Sequence, residues 1–158
     1  MARYNINNQL GGSAQALSTA YKTVVAATAA TATLTSAKIY EIGIGQDGTL
    51  NATDCQVVWD LSRQTAAGTS TAVTPVALDG SVRAAGTVGS ANFTAEGTIT
   101  AASAVWDRTI NQRGVWQWQA ADEGAMFIIP ATNLAGFALR AKSPTYVSTT
   151  VGELKILE

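Results

Sequence analysis

The feature that most constrains this chain is a repeated two-residue alternation of large apolar and small or polar side chains. In Ile39 to Gly45, Tyr40, Ile42 and Ile44 oppose Glu41, Gly43 and Gly45. In Cys55 to Ser62, Cys55, Val57, Trp59 and Leu61 oppose Gln56, Val58, Asp60 and Ser62. Val115 to Gln119 sets Trp116 and Trp118 against Val115, Gln117 and Gln119. A period of two places alternate side chains on opposite faces of a strand, whereas a helix needs 3.6. Met126 to Ile129 reads as a strand ended by Pro130, and Phe137 and Leu139 alternate with Ala138 and Arg140. Turn residues such as Asp47-Gly48, Ala67-Gly68 and Asp79-Gly80 separate the runs. The pattern predicts an all-β antiparallel sandwich. Ala14 to Thr35 is alanine-rich, but its valines, threonines and lack of a cap or charged face favour extended structure.

Length and composition narrow the function classes. The 158 residues suit one domain, able to bury roughly 70% of the surface an unfolded chain exposes. Ten basic and eleven acidic residues leave a net charge of -1, so no general positive field exists to hold nucleic acid. Charged residues make up only 13% of the chain, a composition suited to lying against another protein. No apolar run approaches the ~20 residues that span a bilayer, and the N-terminus lacks the apolar core of a secretory signal. A protein made in the cytoplasm, with no membrane partner, is expected. The single Cys55 excludes an intrachain disulfide, and its phase with Val57 and Trp59 predicts a small buried thiol.

Chemical motifs are few. Gly43-Ile-Gly-Gln-Asp-Gly48 has the spacing of a dinucleotide fingerprint, but Thr49 to Asp54 does not look like the helix that must follow. Asp47, Asn51 and Asp54 fit no calcium-loop spacing, so neither metal nor cofactor is expected. With no histidine the common nucleophilic triads are excluded, and Asp60, Asp107, Asp122 and Glu123 remain as carboxylates that could pair in space. No catalytic residue is assigned. The sequons at Asn51 and Asn92 read as ordinary loop or strand-edge residues.

The aromatic residues and the N-terminus supply candidate binding groups. Trp116 and Trp118 read as core residues beside Trp59, with a stacking platform as the alternative. Trp106, followed by Asp107-Arg108 and set among small residues, reads as the exposed interface aromatic. Residues 1–16 read as an N-terminal arm and 17–158 as the single folded domain. Tyr4, Ile6 and Leu10 fall on even positions suited to being laid on another subunit, and a loose chain end is the alternative.

Three segments carry a family likeness: Asn51-Ala-Thr-Asp-Cys-Gln-Val-Val-Trp-Asp60 onward to Pro75, Asn111-Gln-Arg-Gly-Val-Trp-Gln-Trp118, and Ile129-Pro-Ala-Thr-Asn-Leu-Ala-Gly-Phe-Ala-Leu-Arg-Ala-Lys-Ser-Pro-Thr-Tyr146. Their wording resembles capsid decoration, or cement, proteins of tailed bacteriophages. The resemblance covers the chain from about Lys38 onward and leaves the N-terminal residues outside. It implies a jelly roll, assembly as a homotrimer, and attachment to the major capsid protein on the outside of an icosahedral head made in a bacterial cytoplasm. On this reading the arm residues Arg3, Tyr4, Ile6 and Leu10 dock on the capsid, and a chain lacking residues 1–12 still folds. A carbohydrate-binding or host-attachment jelly roll is the alternative, and an enzyme the third class.

Overall fold

The computed structural model describes residues 1–11, 14–32, 36–80 and 83–158, with backbone only at residues 10 and 11. Their strands are β1 (Arg3–Asn7), β2 (Gln15–Ala16), β3 (Lys22–Ala29), β4 (Ala37–Gln46), β5 (Gln56–Ala66), β6 (Thr69–Val73), β7 (Val76–Ala77), β8 (Thr87–Ala95), β9 (Thr98–Asn111), β10 (Trp116–Gln119), β11 (Phe127–Ile129), β12 (Gly136–Lys142) and β13 (Thr149–Leu157). Every pairing is antiparallel. One sheet of seven strands runs β10-β4-β13-β1-β7, with β11 on β4 and β2 on β13; the other runs β6-β8-β3-β12-β5-β9.

The strand order comes from one folded-back ribbon. β1 pairs with β13, β3 with β12, β4 with β10 and β5 with β9, and successive pairs fall in alternate sheets. The N-terminal half of the chain thus lies along the C-terminal half and rolls up, which is the jelly-roll path. At the ribbon's turning point, β6 to β8 return to the opposite side. There β8 and β6 extend the edge at β3, and β7 covers part of β1. Covering an edge hides backbone groups that would otherwise pair with another chain.

The core lies between the sheets. Val57, Trp59 and Leu61 of β5 enter it as the alternation predicts, with Phe137 and Leu139 of β12 and Leu154 and Ile156 of β13. Within the alanine-rich segment Gln15–Ala16 and Lys22–Ala29 are extended as β2 and β3, and Val24, Val25 and Ala27 are buried in the same core. In β4 the expected phase holds for Ile42 and Ile44, but Tyr40 does not join them. The register against β13 shifts between Lys155 and Ile156, so that Glu41 faces Lys155 while Ile39 faces Ile156. Tyr40 is the extra residue of this bulge, and Ile39 takes the buried position.

The first residues are not an arm. β1 is an interior strand of the seven-stranded sheet, and its Tyr4 and Ile6 are 1% and 0% exposed. It pairs with β13 from Arg3 opposite Leu157 to Asn7 opposite Glu153, and the Tyr4 hydroxyl donates to the Arg83 carbonyl at 2.8 Å. The boundary at residue 16 therefore does not separate two units. The spacing of Tyr4 and Ile6 was a strand alternation like the others, and their burial removes them from any docking surface. Leu10 lies in a 3-10 turn over Asn8–Gly11, and its side chain is outside the described residues.

Candidate docking face

The registers place the outward side chains of the seven-stranded sheet in rows across the strands. The first row is Ile128, Lys38, Leu157 and Arg3, extended to Leu78, whose N–H donates to the Arg3 carbonyl at 2.8 Å. The second is Gln119, Glu41, Lys155, Asn5 and Val76. The third is Gln117, Gly43, Glu153 and Asn7. Among the described residues eight large apolar side chains stand exposed, and four of them, Val76, Leu78, Val115 and Ile128, belong to this one side of the molecule. Arg3, the first of the sequence-predicted contact residues, is exposed on the face; Tyr4 and Ile6 point away from it into the core.

Glycines give this face its relief. Gly43 and Gly45 contribute no side chain, and an open hollow of about 560 Å³ lies over them between β10 and β13. Val115, which is 82% exposed, leans over Gly45: a Cβ added there would meet its Cγ1 at 3.2 Å. Beside the hollow Lys155 bonds to Glu41, which is buried and also accepts from the Gln117 amide. That hydrogen bond holds the Lys155 ammonium above the usual lysine range, against a weaker opposing effect of burial. Glu153 is reached by Lys155 only at 4.0 Å. Lys38 pairs with Glu123 at 3.3 Å.

The outer face of the six-stranded sheet is covered by the chain itself at its centre, over Ala26, Ala138 and Ser62, and exposed toward its edges at Ala72 and Ala104. Small residues run across all its strands in one row: Ala72, Ser90, Ala26, Ala138, Ser62 and Ala104. Asn92, at φ 52°, interrupts the alternation of β8, and Phe93 packs with Ala26, Ala138 and Ile99 instead of entering the main core. One row further along, Asp60 is held by Arg140 through two bonds of 2.9 and 2.7 Å, with the Ser62 hydroxyl bonded to both. The Tyr21 ring lies 4.6 Å from the Arg140 guanidinium and 4.4 Å from the Lys142 ammonium. Burial, then the Asp60 charge, raises the Tyr21 pKa.

These contacts place the residues the sequence offered for chemistry. Asp107 stands opposite Asp60 in the β5–β9 ladder, yet both Asp60 oxygens are engaged by Arg140. Asp122 caps a 3-10 turn by accepting from the Ala125 N–H at 3.0 Å, and Glu123 is the partner of Lys38. Asp54 pairs with Arg113 at 2.6 Å, which holds its carboxyl below the usual range, while Asn51 donates to the Thr145 carbonyl. Gly43 and Gly45 of the fingerprint spacing lie inside β4, and no helix follows Gly48. Among the described residues no group of three His, Cys, Asp or Glu is placed to hold a metal ion. Cys55 is half-buried at the margin of the core.

The tryptophans close the sandwich. Trp118 stacks on Phe127 with centroids 4.8 Å apart, and Trp116 meets Trp106 at 5.6 Å with the Arg108 guanidinium 4.6 Å over its ring. Trp116 and Trp118 are half-buried on the core side of β10. Trp106 is not the exposed interface aromatic: it is 9% exposed and pairs in register with the core residue Leu61. Its neighbours in sequence are small, but the fold brings Trp116 from the other sheet against it, sealing the seam between β9 and β10. Sequence reasoning missed Ile128, Leu78 and Val115 as surface groups. The one available signal was the pair Gly43 and Gly45 opposite Ile42 and Ile44, which marks a strand face without side chains. No protein-family model, curated protein or solved structure matches the chain.

Proposed function

We propose that this chain is a structural virion protein, a decoration or cement protein that lies on the outside of an icosahedral phage head, binds the major capsid protein and stabilises the shell as a homotrimer. The observation that carries the docking part of this reading is the bare outer face of the seven-stranded sheet, where Val76, Leu78, Val115 and Ile128 remain in solvent. Large apolar side chains left exposed on one surface mark protein interaction sites. Here Ile128 and Val115 stand at the β10/β11 edge and Val76 and Leu78 at the β7 edge, with the charged Lys38, Glu153 and Arg3 between them. A broad exposed sheet face of this kind suits extended contact with a shell, and repetition over many sites makes modest individual contacts sufficient. The capsid as partner and the trimeric state rest on the resemblance of the Asn51, Asn111 and Ile129 segments.

The carbohydrate-binding alternative depended on a tryptophan platform, and Trp106 and Trp116 are instead packed against each other.

The copy number of the chain in purified virions, measured by mass spectrometry against the major capsid subunit, tests the proposal. Near-equal abundance is expected. A few copies per particle would move the protein to a fibre or tail, and absence would overturn the virion assignment. Ile128→Asp is expected to reduce incorporation while the purified variant still folds, because Ile128 is 61% exposed.

A further inference from the structure

A second hollow, of about 480 Å³, adjoins the first and is lined by Asp47, Leu50 and Arg113. The two share Gln46 and Val115 as lining residues and so form one trough. Along β4 from Glu41 to Gln46 it runs roughly 17 Å at the usual rise per residue, and its walls on β10 and β13 stand roughly 10 Å apart. These are the proportions of a single extended polypeptide.

We infer that this trough takes an extended segment of the partner protein carrying basic side chains at alternate positions. The inference rests on the docking reading and names the chemistry of what docks. The charge around the trough carries the argument. Asp47, Glu153 and Glu41 line it with Lys155 and Arg113; Lys155 is bonded to Glu41 and Arg113 to Asp54 outside the lining, so among the described residues Asp47 and Glu153 are left as carboxylates without a close cation. Lys155 is committed to Glu41, and Glu153 keeps only its 4.0 Å approach to Lys155. A lysine or arginine entering above Gly43 completes Glu153. Between such residues an extended chain turns its alternate side chains from the β13 wall, which holds Glu153, to the β10 wall, where Val115 offers apolar contact.

The test uses the purified protein and no virion. Isotope-labelled protein is titrated by NMR with a heptapeptide of alternating lysine and valine. Saturable shifts at Gly43, Gly45 and Glu153 are expected. Glu153→Lys weakens them by about tenfold or more. Gly43→Val, whose added Cβ meets the Glu153 Oε2 at 3.2 Å and its Cβ at 3.4 Å, an ordinary contact, abolishes them with its thermal unfolding retained. Ile128→Ser leaves them unchanged. The inference is overturned by an absence of saturable shifts, or by equal shifts with a glutamate-valine peptide. It is equally overturned if the amides move with protein concentration alone, which assigns the trough to a second copy, or only with a neutral oligosaccharide. Because virion abundance and peptide binding are read separately, failure of the capsid assignment and failure of the trough assignment are distinguishable.

Discussion

The outer faces of the two sheets solve the same problem differently. Both belong to strands whose inner side chains fill one core, yet the centre of the six-stranded sheet is covered by Phe93, Ile99 and Tyr21, whereas the seven-stranded sheet leaves Ile128, Leu78, Val76 and Val115 in solvent. On the covered face small residues let the protein's own side chains sit close, and an ion pair is satisfied within the chain. On the bare face glycines leave an open hollow among the described residues. Polar groups buried without a partner are costly, so Asp60 requires Arg140 where it stands. Exposed apolar groups carry no such requirement and are available to a partner. The covered face therefore serves stability, and the bare face suits recognition.

The most severe way to break this comparison is to remove residues 1–7. If β1 were an arm, the bare sheet would survive without it. Because β1 lies between β13 and β7 with Tyr4 and Ile6 buried, the truncated chain is expected to lose its cooperative thermal transition and its near-ultraviolet circular dichroism. A folded truncated protein would restore the arm reading.

A matched pair of substitutions sharpens the contrast between faces. Arg140→Ala leaves the Asp60 carboxylate, in a side chain only 6% exposed, without its partner and is expected to cost about 3–5 kcal/mol in urea unfolding. Ile128→Ser on the bare face is expected to change the stability of the isolated protein by less than about 0.5 kcal/mol. Equal effects would mean that the two faces do not differ as argued.

The smallest expected effect is on the alkaline side. Lys155 on the bare face and Tyr21 on the covered face both hold their protons more tightly in the folded protein than their ordinary values near 10 provide. The stability they contribute is fully present below the unfolded values and is lost as pH rises through the raised folded ones. The urea midpoint should therefore fall between pH 9 and pH 12, and Lys155→Met should reduce that fall. A midpoint that rises over this range would contradict the assigned directions.

Strand identity was legible wherever the inner and outer residues differ sharply in size. Val57, Trp59 and Leu61 announced β5, and Phe137 and Leu139 announced β12, because one face of each strand must be apolar. Tyr40 misled because a bulge costs one residue of register, and a period of two carries no mark of where the count slips. Tyr4 and Ile6 were visible as an alternating pair. Their partners in β13 lie at the far end of the chain, so their burial could not be read locally. Trp106 failed for a related reason: its packing partner Trp116 comes from the opposite sheet.

The sequence by itself determined that this chain is all-β, because burial on one side of a strand imposes a two-residue period that no helix tolerates. It also determined the scarcity of reactive groups, since composition needs no fold to be read. Only the tertiary structure decided which outer face is bare. Whether Phe93 covers a sheet or Ile128 waits in solvent depends on which strands become neighbours, and those neighbours are set by contacts between residues far apart in the chain.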